Sequence, residues 1–129
     1  MKYYIKKTLN TDFETAVSKT KEALQAVGFG ILTEIDIHKK FKAKLDIDFK
    51  KYKILGACNP PLAHKALQME NKIGTMLPCN IIIQQLDENQ IEVAAIDPVA
   101  SLLAVDNEEL SELAMTIKEK LQNAISMIS

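Results

Sequence analysis

"YKILGACNPPLAHKAL" (Tyr52–Leu67) holds two periodicities and the boundary between them. Up to Cys58 the run is short, apolar and bounded by turn residues, as a strand is. Beyond it, Leu62, Ala63, Ala66 and Leu67 recur at helical spacing. Asn59 is a good N-cap. Pro60 suits the first helical turn, because the N–H it lacks would find no intrahelical acceptor there. The stretch therefore predicts a strand over Tyr52–Cys58 and a helix from Pro60 or Pro61 to about Asn71. "GTMLP" then breaks the pattern, and "CNIIIQQL" (Cys79–Leu86) starts a second strand on another Cys-Asn pair.

Working outward, "KYYIKKTL" (Lys2–Leu9) alternates as a strand does. "TDFE" follows as a capping box, with Thr11 as N-cap and Glu14 three residues on. Phe13, Ala16, Val17, Thr20, Leu24 and Val27 give a helical stripe over Asp12–Val27, closed by Gly28 in the C′ position. "FGILTEIDI" (Phe29–Ile37) reads as a strand with Phe29, Ile31, Thr33, Ile35 and Ile37 on one face. "HKKFKAKLDIDF" fits both periods: Phe41, Ala43, Leu45, Ile47 and Phe49 alternate, yet Ile37, Phe41 and Leu45 fall on one helical row. Downstream, "DENQ" turns the chain into a strand over Ile91–Asp97. A loop after Pro98 leads to a second capping box, Asp106 to Glu109, and a helix from Asn107 to about Ile128. Its stripe is Leu110, Leu113, Ile117, Leu121, Ala124, Ile125 and Ile128.

The order lacks the regular strand-helix alternation of a doubly wound sheet. It predicts an α+β fold: an antiparallel sheet of about five strands with helices packed on one face. At 129 residues, with no linker, repeat or biased tract, the chain reads as a single domain, 1–129.

Composition excludes several classes. Apolar residues make up 47% and charged residues 26%, which is ordinary for a soluble globular protein. The N-terminal sequence has no signal-like apolar region, and no apolar run is long enough to span a bilayer. A cytoplasmic location is expected, with no membrane partner. All 16 basic residues are Lys, and the net charge is −1. Without Arg for bidentate phosphate and guanine contacts, a nucleic-acid partner is not expected. The charge is nonetheless uneven: residues 1–65 carry 13 Lys against 7 acids, and residues 66–129 carry 3 Lys against 10 acids.

The two Cys-Asn pairs are the candidate site. Cys58 ends one strand and Cys79 begins the next, so antiparallel neighbours would bring both thiols to one rim of the sheet. Cys58 also precedes a helix N-terminus, whose free N–H groups and dipole favour an anion and would lower a thiol pKa. Cys58, Asn59, Pro60, Cys79 and Asn80 thus form a candidate small-ligand site, with an anion, a metal or thiol redox chemistry as its business. The competing reading is packing. A free Cys is often a small buried hydrophobe, and Asn before Pro is a common cap. Two Cys alone do not make a structural zinc site. His64 lies roughly 130° from the centre of its helix's apolar face, so it should face solvent and leave Cys58 without a base. His38 is expected to be exposed, and Glu34 and Asp36 to share a polar strand face. No cofactor motif and no catalytic residue is assigned.

At "TEID", "KLDIDFKKYKILGACNPPLAHKAL", "IGTMLPCNIII" and "AAIDP" the sequence resembles the family catalogued as domain of unknown function 302. The resemblance runs from about Gly28 to Pro98. It implies an α+β domain of β-α-β(4)-α layout, similar to the TATA-binding-protein-like folds, and a homodimer. It also favours a helix over roughly 38–45. In that family the positions of Cys58-Asn59-Pro60 and Cys79-Asn80 are the signature; the resemblance carries no activity with it. The alternative to a ligand site is then a non-catalytic dimeric interaction protein whose Cys-Asn loops are structural.

Overall fold

The computed structural model describes residues 2–129. Five strands form one sheet: β1 (Tyr4–Leu9), β2 (Gly30–Asp36), β3 (Tyr52–Cys58), β4 (Cys79–Asp87) and β5 (Gln90–Ile96). They lie in the order β1-β5-β4-β3-β2, and every neighbouring pair is antiparallel. The helices are α1 (Phe13–Ala26), α2 (Ile37–Leu45), α3 (Pro60–Met69), α4 (Pro98–Ser101) and α5 (Glu108–Met127). Among the described residues no helix is long and apolar enough to cross a membrane.

The long helices α1 and α5 pack together and against one face of the sheet. That face supplies Leu55, Ala57, Ile81, Ile83, Ile91, Val93 and Ala95, all at most 1% exposed. Every residue of the expected α5 stripe is buried, and so are Phe13, Ala16, Val17, Thr20 and Leu24 of α1. Thr20 is buried without cost to its hydroxyl, which donates to the Ala16 carbonyl at 2.7 Å. Removing these apolar side chains from water is the main driving force for this arrangement.

Both capping boxes were displaced by one residue. Asp12, not Thr11, caps α1: its Oδ1 accepts from the Thr15 N–H at 2.9 Å and its Oδ2 from the Thr15 hydroxyl at 2.7 Å. Asn107, not Asp106, caps α5 and accepts from the Leu110 N–H at 3.1 Å. In each case an Asp or Asn oxygen lies three residues before the N–H it accepts from, which is the geometry a cap requires.

The stretch 38–45 is helical, as α2, and ends on Asp46 in the left-handed region (φ 53°). His38 is not free at the surface: its Nδ1 accepts from the Tyr52 N–H at 2.9 Å and ties α2 to the start of β3. Strand β2 does not keep one face throughout. A bulge lies between Ile31 and Thr33, so Ile31 aligns with Ala57 toward the helices while Thr33 and Ile35 align with Gly56 and Ile54 on the opposite face. Glu34 and Asp36 consequently lie on the helix-bearing face. There Glu34 pairs with Lys21 of α1 at 2.8 Å and with Lys53 at 3.3 Å, and Asp36 pairs with Lys53 at 3.6 Å. These pairings, led by the hydrogen bond from Lys21, lower the Glu34 pKa. The two carboxylates are paired with lysines.

Helix α3 stops at Met69, two residues short of expectation, and a 3-10 turn covers Asn71–Met76. The loop expected after Pro98 opens with the short helix α4. Asp97 caps it, accepting from the Val99 N–H at 2.9 Å, and binds Lys118 of α5 at 3.0 Å.

Candidate functional site: an apolar pocket at the thiol rim

The ladder between β3 and β4 sets Ala57 opposite Cys79 and Gly56 opposite Asn80. Cys58 is one residue beyond Ala57, so the end of β3 and the start of β4 meet at one rim. Both thiols are free, both are partly buried, and both line the same pocket. The expected convergence of Cys58 and Cys79 is therefore present.

The pocket has a volume of 370 Å³. Helix α3 forms one wall with Leu62, Ala63, Ala66 and Leu67. The 3-10 turn and the segment after it add Ile73, Met76, Leu77 and Pro78. Leu110, Ala114 and Ile117 of α5 and Leu102 after α4 close the far side. Phe29, Leu32 and Ile96 complete the lining from the sheet side. No Lys, Asp, Glu or His lines it.

The start of α3 offers no free N–H to an anion. Pro60 and Pro61 open α3 and contribute no N–H. The Leu62 N–H is held by Asn59 Oδ1 at 3.4 Å, and the Ala63 N–H by the Asn59 carbonyl at 2.9 Å. The first four helical positions thus have no donor left for a ligand. Asn59 is a cap, with its Nδ2 side against Gly28. That glycine has φ 91°, and a Cβ there would come 3.1 Å from Asn59 Nδ2. Pro60 serves as the N1 residue and is absent from the pocket lining.

Asn80 is not part of this site. It is exposed and lines a groove on the helix-free face with Tyr3, Tyr4, Tyr52, Gln84 and Glu92. Strand alternation separates it from Cys79, its own neighbour. Of the five candidate residues the pocket takes Cys58, Asn59 and Cys79.

Burial pushes the Cys79 thiol up to about 11, and the nearby Cys58 acts in the same direction. Cys79 is thus a neutral thiol at physiological pH, the opposite of an activated nucleophile. Its ordinary value is 9.0. The folded state holds the proton more tightly, so this contribution to stability is complete below about pH 9 and is lost as the pH rises toward 11. The loss should reach at most about 2–3 kcal/mol. Urea unfolding of wild type and Cys79→Ala across that range checks it: the stability difference between them should shift against the wild type as the pH rises. A pH-independent difference would contradict it.

Among the described residues no group of three or more His, Cys, Asp or Glu is placed to hold a metal ion. The remaining polar side chain on the lining, Ser101, donates its hydroxyl to the Pro98 carbonyl at 3.2 Å.

Much of the lining was not singled out in the sequence. Leu32 could have been: it is an apolar residue on the otherwise polar side of an alternating strand, which is the mark of the bulge. Ile73, Met76, Ser101 and Leu102 carried no signal, because only the tertiary fold brings them to α3.

Fold and site together define a small α+β protein: a five-stranded antiparallel sheet, helices on one face, and an apolar pocket where a strand end, a helix start and a 3-10 turn meet. The chain belongs to the family described as "Domain of unknown function DUF302", whose model matches residues 5–128. A solved structure with the same fold is the "uncharacterized conserved protein DUF302 from Bacillus stearothermophilus". It is 22% identical, covers 100% of both chains and superposes with a TM-score of 0.92. No curated protein matches the chain.

Proposed function

We propose that this protein is a small-ligand-binding module, and that its ligand is neutral and apolar and sits in the pocket beside Cys58 and Cys79. One observation carries the reading: a 370 Å³ pocket with apolar walls and no charged side chain on its lining. That volume falls within the range of roughly 300–1,000 Å³ that small-molecule sites occupy. An anionic head group would be desolvated there with nothing to pair with, which is costly. The protonated Cys79 thiol is a weak donor at the pocket wall and suits a neutral group. Two free thiols also suit a reducing, cytoplasmic setting.

The test is a fluorescence titration with N-phenyl-1-naphthylamine, a neutral apolar dye. Saturable binding at one site per chain is expected. Long-chain alcohols should displace the dye, and the matching carboxylates should compete far more weakly. No saturation, or equal competition by carboxylates, would sink the reading.

A second reading, homodimerisation, has its own support. On the helix-free face, Ile35, Ile54, Ile82 and Ala94 are successive register partners and make one apolar row across four strands. The exposed face of an antiparallel sheet is usually polar, so such a row suits a partner. Two such faces packed together would form a sheet-on-sheet interface between copies. Light scattering should then give twice the chain mass for wild type and a monomer for Ile82→Glu. A monomeric wild type would dispose of this reading and leave the pocket untouched.

A further inference from the structure

Helix α2 and the segment after it are an outlier on this surface. Helix α2 has no buried residue, and residues 42–51 are all exposed. Three of those exposed residues are large and apolar: Leu45 at 62%, Ile47 at 47% and Phe49 at 44%. The same stretch, 37–51, holds six lysines against two aspartates in a chain whose net charge is −1. Lys42 occupies both aspartates, reaching Asp46 at 3.1 Å and Asp48 at 3.4 Å. Lys39 pairs with Asp36 at 3.6 Å. Lys40, Lys44, Lys50 and Lys51 have no carboxylate within ion-pair distance among the described residues.

We infer that this element docks on an anionic lipid surface, with Leu45, Ile47 and Phe49 entering the headgroup layer and the free lysines facing lipid phosphates and carboxylates. The charge names an anionic partner. Ile47 and Phe49 alternate in sequence with Asp46 and Asp48, both of which Lys42 holds, and Phe49 rests edge-on against Phe41 at 5.2 Å while staying exposed. Exposed apolar side chains interspersed in sequence with lysines that have no carboxylate partner are the composition of interfacial elements. A diffuse surface potential needs only point charges, which Lys supplies, whereas a specific acidic protein site favours the bidentate geometry of Arg, which this chain lacks. The sequence set aside a membrane partner for want of a spanning segment; surface attachment needs none.

The test is flotation of the full chain with phosphatidylcholine vesicles, with and without an equal share of phosphatidylserine. Binding is expected only with phosphatidylserine, and high salt should release it. The double variant Lys40→Glu/Lys44→Glu should lose at least about tenfold in partitioning. Phe49→Ser, at an exposed position that leaves the core intact, should weaken binding without changing its salt dependence. Three outcomes would overturn the inference: equal binding to both vesicles, no binding to either, or wild-type partitioning by the variants. Salt-sensitive self-association with no lipid binding would assign the patch to a second copy instead and would equally overturn it.

Discussion

Gly56→Ala is expected to lower the unfolding free energy by about 3 kcal/mol, at the upper end of what overpacking costs. A Cβ at this position would overlap Thr33 Oγ1 outright and lie 2.7 Å from Pro78 Cγ. Thr33 is fixed as the register partner of Gly56 on β2. Pro78 is a ring locked to the chain immediately before Cys79, so it cannot swing away as a long flexible side chain would. The strain therefore falls on the β3–β4 junction, where the two thiols meet. For a chain of this length the loss should appear as a fall in melting temperature of roughly 10 °C. The double variant Thr33→Ala/Gly56→Ala should recover part of the loss, because it removes one of the two obstructions. A Gly56→Ala protein as stable as wild type would show that the junction is looser than described.

The strands and long helices were legible because each has one buried face, and period 2 or 3.6 marks a buried face directly. The α5 stripe and the span Tyr52–Cys58 illustrate this. Features set by the tertiary fold were not legible. The β2 bulge moved Thr33 and Ile35 off the face of Ile31 through one extra residue, Leu32, which an alternation count passes over. The apolar stripe of α3 reads like any core stripe. Only Ala66 of it is buried, and Leu67 remains 40% exposed, because the stripe faces a pocket instead of a neighbour. Periodicity reports which face is apolar, not what lies opposite.

The Cys-Asn pairs were a useful guide to place. Topology alone brought Cys58 and Cys79 together. Two prolines bear on the anion reading, since Pro60 and Pro61 contribute no N–H to the helix start that was expected to supply donors. Asn80 failed on parity: a residue next to Cys79 in a strand must point the other way. What remains is a cap at Asn59, two thiols in the wall, and a pocket whose walls come largely from residues without any motif.

Ala63→Phe is expected to abolish ligand binding while leaving the fold intact. Ala63 is on the pocket wall and only partly buried, so a benzyl group there can extend into open space instead of into packed core. It would occupy room that an apolar ligand needs, and the loss should be at least about a hundredfold in affinity, near 2.7 kcal/mol. His64→Phe adds a comparable ring on the exposed side of the same helix and serves as the control. The decisive measurement is the titration of N-phenyl-1-naphthylamine into these two folded variants. Binding lost in Ala63→Phe and retained in His64→Phe is the result expected of a ligand pocket beside the thiols; undiminished binding in a folded Ala63→Phe protein would contradict it.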